Sequence, residues 1–195
     1  ITLYKNKIAR AKSIAEKNTY TDSLMIVYDL RNEYFGDHPK YGTPYILDRK
    51  AREYLMYKPA DRKGIREAFR AAIEAGGDNT DPETVVAYFS NLCDLDPEDG
   101  VPYFILAQCY ASSAGSCGGF AGLATYWAAY DTMAKAVELL PADSEYMEHA
   151  KSSLGKFRSV FPSSEECFFN ELQEGARYTG TCGTAAGITT TVRAR

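Results

Sequence analysis

Histidine, tryptophan and closely spaced cysteines are scarce in this chain, and their scarcity limits the chemistry it can perform. His38 and His149 are its two histidines, and Trp127 is its one tryptophan. The five cysteines form no Cys-x-x-Cys pair, and no closely spaced pair of histidines accompanies them. Because structural zinc sites are normally built from such pairs, we predict no metal and no cofactor.

Long apolar runs and a basic second half are also missing. No stretch approaches the roughly 20 apolar residues that a membrane-spanning helix requires. Residues 76–195 contain 7 Lys and Arg against 16 Asp and Glu, whereas residues 1–75 contain 15 against 10. Nucleic acid is bound mainly through basic groups that displace counterions from the phosphates. We therefore expect no membrane-spanning segment and no nucleic-acid partner.

The chain is rich in apolar side chains at three- and four-residue spacing, which indicates amphipathic helices. Thr43-Pro44 and Asp81-Pro82 each place a proline at the first position of a helix, and Ser163-x-x-Glu166 is a capping box. The fold class is therefore all-α. We predict helices at residues 1–18, 21–35, 43–58, 62–76, 82–95, 100–113, 123–140, 144–160 and 164–173.

One pair of helices fits the 34-residue period of a tetratricopeptide repeat (TPR), in which small residues let two helices approach and large ones fill the gap to the next hairpin. The matching residues are Tyr103, Leu106, Ala107, Tyr110, Ala129, Met133 and Ala136. We therefore predict a TPR-like α-α superhelix of antiparallel helical hairpins over residues 1–174. Its best-matching repeat spans residues 100–141.

A glycine- and serine-rich segment interrupts that repeat. The register of the second helix is displaced by about ten residues, so we predict an inserted loop at residues 112–122. A thiol protease would need a histidine beside Cys117, and a phosphate loop usually needs a following lysine. No lysine lies between Lys63 and Lys135. We therefore interpret this loop as an elongated turn.

The C-terminal residues 175–195 change from helical to strand-like composition. Arg177–Cys182 and Ile188–Arg193 are predicted to pair as a β-hairpin that caps the last helices, with a flexible tail as the alternative. A disulfide between Cys117 and Cys182 is one interpretation, because the tail also carries a single cysteine. The alternative is that both thiols are free or differently paired.

Several segments of the chain match known proteins in sequence. They read DSLMIVYDLRNEYFGD, YILDRKAREYL, YFILAQCYASSAGSCGG, TYWAAYDTMAKA, FPSSEECFFNELQEGARYT and TTTVRAR. Together they resemble a group of exported TPR proteins from gut Bacteroidales-type bacteria. The resemblance implies an α-α superhelix, export to the periplasm or cell surface, and no established enzymatic activity. The chain begins at Ile1 rather than Met, and we expect that a signal peptide has been removed before it.

A TPR superhelix presents fixed positions of its inner helices to a concave groove. In the register above these positions are Val101, Phe104, Gln108 and Ala111, and an earlier inner helix offers Tyr45, Arg49 and Arg52. Such residues can contact a peptide or pack against the neighbouring repeat. The leading hypothesis is a non-catalytic scaffold that binds a protein or peptide in the cell envelope.

Carbohydrate binding and catalysis are the alternatives to the scaffold. Fifteen tyrosines and Trp127 could stack on sugar rings, so a carbohydrate-binding accessory protein is the alternative. An enzyme would have to use Glu165, Glu166, His149 or Asp131 as its acid or base. Adjacent carboxylates point to different helix faces, and first-turn glutamates are favoured by the helix dipole. We therefore predict no catalytic activity.

Overall fold

The computed structural model describes all 195 residues and divides into two compact units, Ile1–Asn91 and Leu92–Arg195. Helices make up 71% of the chain, and a two-stranded antiparallel sheet lies near the C-terminus. This confirms the predominantly helical class and the small C-terminal hairpin. The helices are α1 Thr2–Arg10, α2 Ile14–Phe35, α3 Thr43–Tyr57, α4 Arg62–Gly76, α5 Pro82–Leu95, α6 Gly100–Ser113, α7 Gly119–Leu139, α8 Met147–Ser159 and α9 Ser164–Phe169, and the strands are β1 Arg177–Thr179 and β2 Thr189–Thr191.

The first two helices divide at a different place from the one predicted. We expected helices at 1–18 and 21–35, but α1 ends at Arg10 and α2 begins at Ile14. The Ser13 hydroxyl accepts the Glu16 N–H at 3.1 Å, and the Glu16 carboxylate accepts the Lys12 N–H at 2.9 Å. This capping pattern starts a new helix at a point where the apolar period alone shows no break.

The first unit contains two apolar clusters that share α3. One joins α1, α2 and α3 through Ile8, Leu24, Met25, Tyr28 and Ile46. The other joins α3 to α4 through Ala51, Ile65, Phe69 and Ala72. Because α3 packs against both clusters, the face of α3 that contacts neither cluster is held in a fixed orientation.

In the second unit α6 packs against α7. Leu106, Ala107 and Tyr110 on α6 are buried, and Ala129, Met133 and Ala136 on α7 are fully buried. The predicted loop at 112–122 is too long, because α7 begins at Gly119 and the two helices are separated by residues 114–118 alone. Helix α7 starts early because the Phe120 ring contacts the buried ring of Trp127 and the half-buried ring of Tyr178.

The C-terminal residues are folded onto α7. Strands β1 and β2 pair in the register Arg177 with Thr191 and Thr179 with Thr189. They are shorter than the predicted strands at residues 177–182 and 188–193, and residues 183–185 between them form a 3₁₀ turn. Val192 is fully buried in a cluster with Trp127, and Cys117 is joined to Cys182. The tail is therefore a packed cap in this structure.

Candidate functional site

The groove residues predicted on α6 contact α8. Phe104 is 7% exposed, and its ring lies 5.2 Å from that of Tyr146 and 5.3 Å from that of His149. The Gln108 side-chain amide donates to the Ser153 hydroxyl at 3.3 Å. These contacts correspond to the packing interpretation that the sequence left open. Val101 and Ala111, on the same helix, are half-buried.

The three residues predicted on α3 line one cavity in the first unit. Tyr45, Arg49 and Arg52 are spaced to share one helix face, and this face borders a cavity of about 530 Å³. We call it the α3 cavity. It is enclosed by the segment before α3, by α3 itself, by the end of α4 and by the start of α5.

Arg52 forms one wall of the α3 cavity through a network of side chains. Its guanidinium donates to Asp48 at 3.0 Å, to Asp81 at 2.9 Å and to Glu83 at 3.1 Å. It also donates to the Thr84 hydroxyl at 3.0 Å. With three carboxylates around it, Arg52 ties α3 to the start of α5. Its role is therefore to shape the cavity, because four of its five N–H donors are already engaged by these neighbours.

Arg49 differs from Arg52 because it forms no ion pair. Its guanidinium is exposed and lies over the Tyr45 ring, 5.4 Å from the ring centroid. Arg31 lies over the same ring at 5.7 Å. Lys40, also in the cavity wall and also without a carboxylate partner, lies 5.3 Å from the Tyr41 ring centroid. The aromatic rings hold these cations in place by cation–π attraction.

The α3 cavity is lined by charges of both signs. Arg49 and Lys40 are available to an acidic ligand. Asp81 and Glu83 share the single charge of Arg52, so they remain acidic in character and retain acceptor capacity for N–H or O–H donors. An amide or hydroxyl group can also reach Asn79 and Thr80, which line the cavity as well. The cavity suits a ligand with a carboxylate and several neutral hydrogen-bonding groups.

The residues considered for catalysis have structural contacts instead. Asp131 accepts from the Thr190 hydroxyl and pairs with Arg193 at 2.8 Å. Glu166 accepts the Ser163 N–H at 2.7 Å in the predicted capping box.

Burial raises the pKa of the Cys93 thiol to about 11. A thiol with so high a pKa is protonated at neutral pH and is a poor nucleophile.

Burial also raises the pKa of the two other free thiols, Cys109 and Cys167. No group of three or more His, Cys, Asp or Glu side chains is placed to hold a metal ion. None of the helices has the length and apolar character needed to cross a membrane.

Sequence reasoning missed Lys40, which lines the α3 cavity, and Arg31, which lies over the Tyr45 ring but lines a different cavity. Lys40 stands just before the Thr43-Pro44 helix start, and that position could have placed it near the first turn of α3. Arg31 gave no such signal, because its position over Tyr45 depends on how α2 packs against α3.

No protein-family model matches this chain, and neither a curated protein nor a solved structure matches it. A functional conclusion therefore depends on the chain's own residues and their geometry.

Proposed function

We propose that this chain is a non-catalytic interaction scaffold that binds an extended peptide with an acidic side chain in the α3 cavity. The main support is Arg49, an exposed guanidinium that has no carboxylate partner and borders a cavity of about 530 Å³. Because the Tyr45 ring already positions Arg49, little side-chain entropy is lost when a ligand binds. A peptide carboxylate can accept two parallel N–H bonds from one guanidinium.

The acidic part of the cavity lining favours a peptide over a simple anion. Asp81 and Glu83 would repel a ligand that is acidic throughout, but their unused lone pairs accept backbone N–H groups. A peptide with one carboxylate toward Arg49 and its backbone toward α5 satisfies both the basic and the acidic part of the lining. The bound segment is therefore expected to contain an isolated acidic residue rather than an acidic run.

The scaffold proposal includes a repeat architecture. We infer that the helical hairpins are TPR-like repeats of an α-α superhelix. Six of the seven residues that fit the repeat register are buried at the α6–α7 contact, and Tyr103 is half-buried. This is the pattern expected when small and large residues alternate between two helices and the next hairpin.

We also propose that the protein works in the bacterial cell envelope, as the resemblance to exported proteins implies. The joined Cys117 and Cys182 support this location. Disulfides persist in oxidising compartments and are rare in the reducing cytosol.

Carbohydrate binding is a weaker candidate. Sugar rings need a free aromatic face, but two guanidinium groups lie over Tyr45 and the Lys40 ammonium lies over Tyr41. Trp127 is fully buried. The aromatic residues beside the α3 cavity thus hold cations, which favours an acidic peptide over a neutral sugar.

A panel of labelled peptides tests the proposal. It consists of paired extended sequences that differ only by Glu or Gln at the central position, measured by fluorescence anisotropy against the full chain. We expect the best Glu peptide to bind at least about tenfold more tightly than its Gln partner. Arg49→Gln should abolish this preference, and Arg158→Gln, which removes an exposed arginine on α8, should preserve it.

Equal binding of the Glu and Gln peptides, or a preference that survives Arg49→Gln, would contradict the proposal. A parallel screen of oligosaccharides tests the alternative. Saturable binding of a neutral sugar that is lost in Tyr45→Ala would favour carbohydrate capture.

A further inference from the structure

Helix α9 ends in two phenylalanines that face solvent. Phe168 is 76% exposed and Phe169 is 73% exposed, and their rings meet edge to face at 6.1 Å. The preceding residue, Cys167, is 4% exposed and belongs to the apolar cluster around Trp127. The helix is thus already anchored through Cys167. Folding of the second unit does not depend on burial of the two phenylalanine rings.

A small cavity opens beside this aromatic pair. It measures about 230 Å³, and its wall includes Phe168, Cys167, Leu172 and Val192. These side chains form an apolar floor, and Glu174 stands at its margin. The cavity can therefore accept a bulky apolar side chain from another molecule, in the manner of an anchor residue at a protein interface.

Acidic groups surround the apolar pair. Glu165, Glu171 and Glu174 are exposed, and none of them forms an ion pair. Glu166 is different, because it caps α9 and lies 3.9 Å from Arg195. Three unpaired carboxylates around two exposed aromatic rings are complementary to a segment that alternates basic and apolar residues.

The backbone at Glu171 adopts a left-handed conformation. Its φ is 57°, and it is the only residue other than glycine with a positive φ in the chain. This conformation ends α9, with the Leu172 N–H bonded to the Cys167 carbonyl at 3.0 Å. Glycine is the residue that favours such a helix end.

We propose that Phe168, Phe169 and the cavity beside them, with Glu165, Glu171 and Glu174, form a docking surface for a basic amphipathic segment of a partner protein. One apolar side chain of that segment fills the cavity, and its Lys or Arg residues pair with the three carboxylates. The same carboxylates would repel an anionic membrane surface, which favours a protein partner. This surface is separate from the α3 cavity, and either can fail without the other.

The test uses the full chain and a labelled peptide in which Lys alternates with Leu, with matched peptides that replace Lys by Glu or Leu by Ser. We expect saturable binding of the Lys-Leu peptide with a dissociation constant below about 100 µM. Binding should weaken at least about tenfold in Phe168→Ser/Phe169→Ser, several-fold in Glu171→Gln/Glu174→Gln, and further as salt is added. Phe35→Ser, which removes another exposed phenylalanine, should bind as the parent does.

Equal melting temperatures of the variants will show that they are folded. Absence of saturable binding, or equal binding of the Glu-Leu peptide, would overturn the proposal, as would binding that is unchanged in Phe168→Ser/Phe169→Ser. Two other results would overturn it in favour of a different occupant. These are sedimentation of the chain with phosphatidylglycerol vesicles, and self-association in equilibrium ultracentrifugation, when either is lost in the double phenylalanine variant.

Discussion

The indole N–H of Trp127 on α7 donates to the backbone carbonyl of Arg193 at 2.7 Å, and this bond ties the last residues of the chain to the α6–α7 hairpin. Trp127 is fully buried between Phe120 and Tyr178. The apolar ring and the polar N–H thus make separate contributions to stability. The ring fills the core, and the N–H satisfies a carbonyl that would otherwise lack its partner.

Trp127→Phe tests the contributions of the ring and of the N–H separately. The variant retains an aromatic ring but leaves the Arg193 carbonyl without its donor. We expect the free energy of unfolding to fall by about 2 kcal/mol from lost packing and the lost hydrogen bond. Denaturant unfolding should be followed by circular dichroism, because the chain has no other tryptophan. Tyr126→Phe on the same helix should change little, and an equal loss there would contradict this explanation.

The pairing of Cys117 with Cys182 closes a loop with a sequence separation of 65 residues. A cross-link of that span restricts the unfolded chain, so Cys117→Ser/Cys182→Ser should lower the free energy of unfolding by about 3–4 kcal/mol. Peptide mapping without reductant should recover both cysteine-containing fragments as one species. Recovery of two alkylated thiols from protein purified under oxidising conditions would contradict the pairing.

Glu171→Gly should stabilise the chain, because glycine adopts the positive φ at this helix end without strain. We expect a gain of about 0.5–1 kcal/mol in denaturant unfolding. Glu148→Gly supplies the control, because Glu148 is exposed in the first turn of α8 and glycine there should destabilise by up to about 1 kcal/mol. Destabilisation by Glu171→Gly would show that the Glu171 side chain contributes more to folding than its backbone costs.

The ion pair between Lys5 and Glu53 joins α1 to α3. The Lys5 ammonium lies 2.5 Å from one Glu53 oxygen, and Glu53 is 7% exposed, with its other oxygen buried and unpaired. Lys5→Met leaves the buried carboxylate without compensation and should destabilise by about 1–3 kcal/mol. Lys5→Met/Glu53→Met should recover much of that loss, since it removes both charges. A double variant as unstable as the single one would contradict this view.

The same pair predicts a pH dependence. The hydrogen bond to Glu53 raises the pKa of Lys5 above its ordinary value of 10.5, although burial opposes the shift. The stabilisation is therefore fully present below that value and is lost as the pH rises through the higher pKa of the folded state. The difference in stability between the parent and Lys5→Met should be constant in the neutral range and shrink above pH 10.5. A difference that stays constant would show that the pair is not coupled to protonation.

Local signals predicted much of the helical pattern. Proline at helix starts and the capping box at Ser163 located α3, α5 and α9, because their effects act within one turn of the chain. The break at Ser13 was missed because the apolar period continues across it. The early start of α7 was missed because it depends on the contact of Phe120 with Trp127 and Tyr178.

The candidate site was only partly predictable, because part of it depends on contacts between helices. The spacing of Tyr45, Arg49 and Arg52 places them on one face of α3, and that face lines the α3 cavity. The sequence did not show whether Arg49 or Arg52 is available to bind a ligand. It depends on Asp81 and Glu83, which come from α5 and its approach and pair with Arg52 rather than Arg49. The α6 residues could not be assigned to a groove or to packing until their contacts with α8 were known.

A double-mutant cycle between Arg49 and the central glutamate of the tightest-binding acidic peptide tests the binding proposal most directly. Calorimetry would give four affinities, for the parent and Arg49→Gln chains with the Glu and Gln peptides. If the carboxylate is bound by Arg49, the coupling free energy should reach at least about 1 kcal/mol. A coupling free energy of zero, with the Glu peptide still preferred, would place the acidic group elsewhere and contradict the role of the α3 cavity.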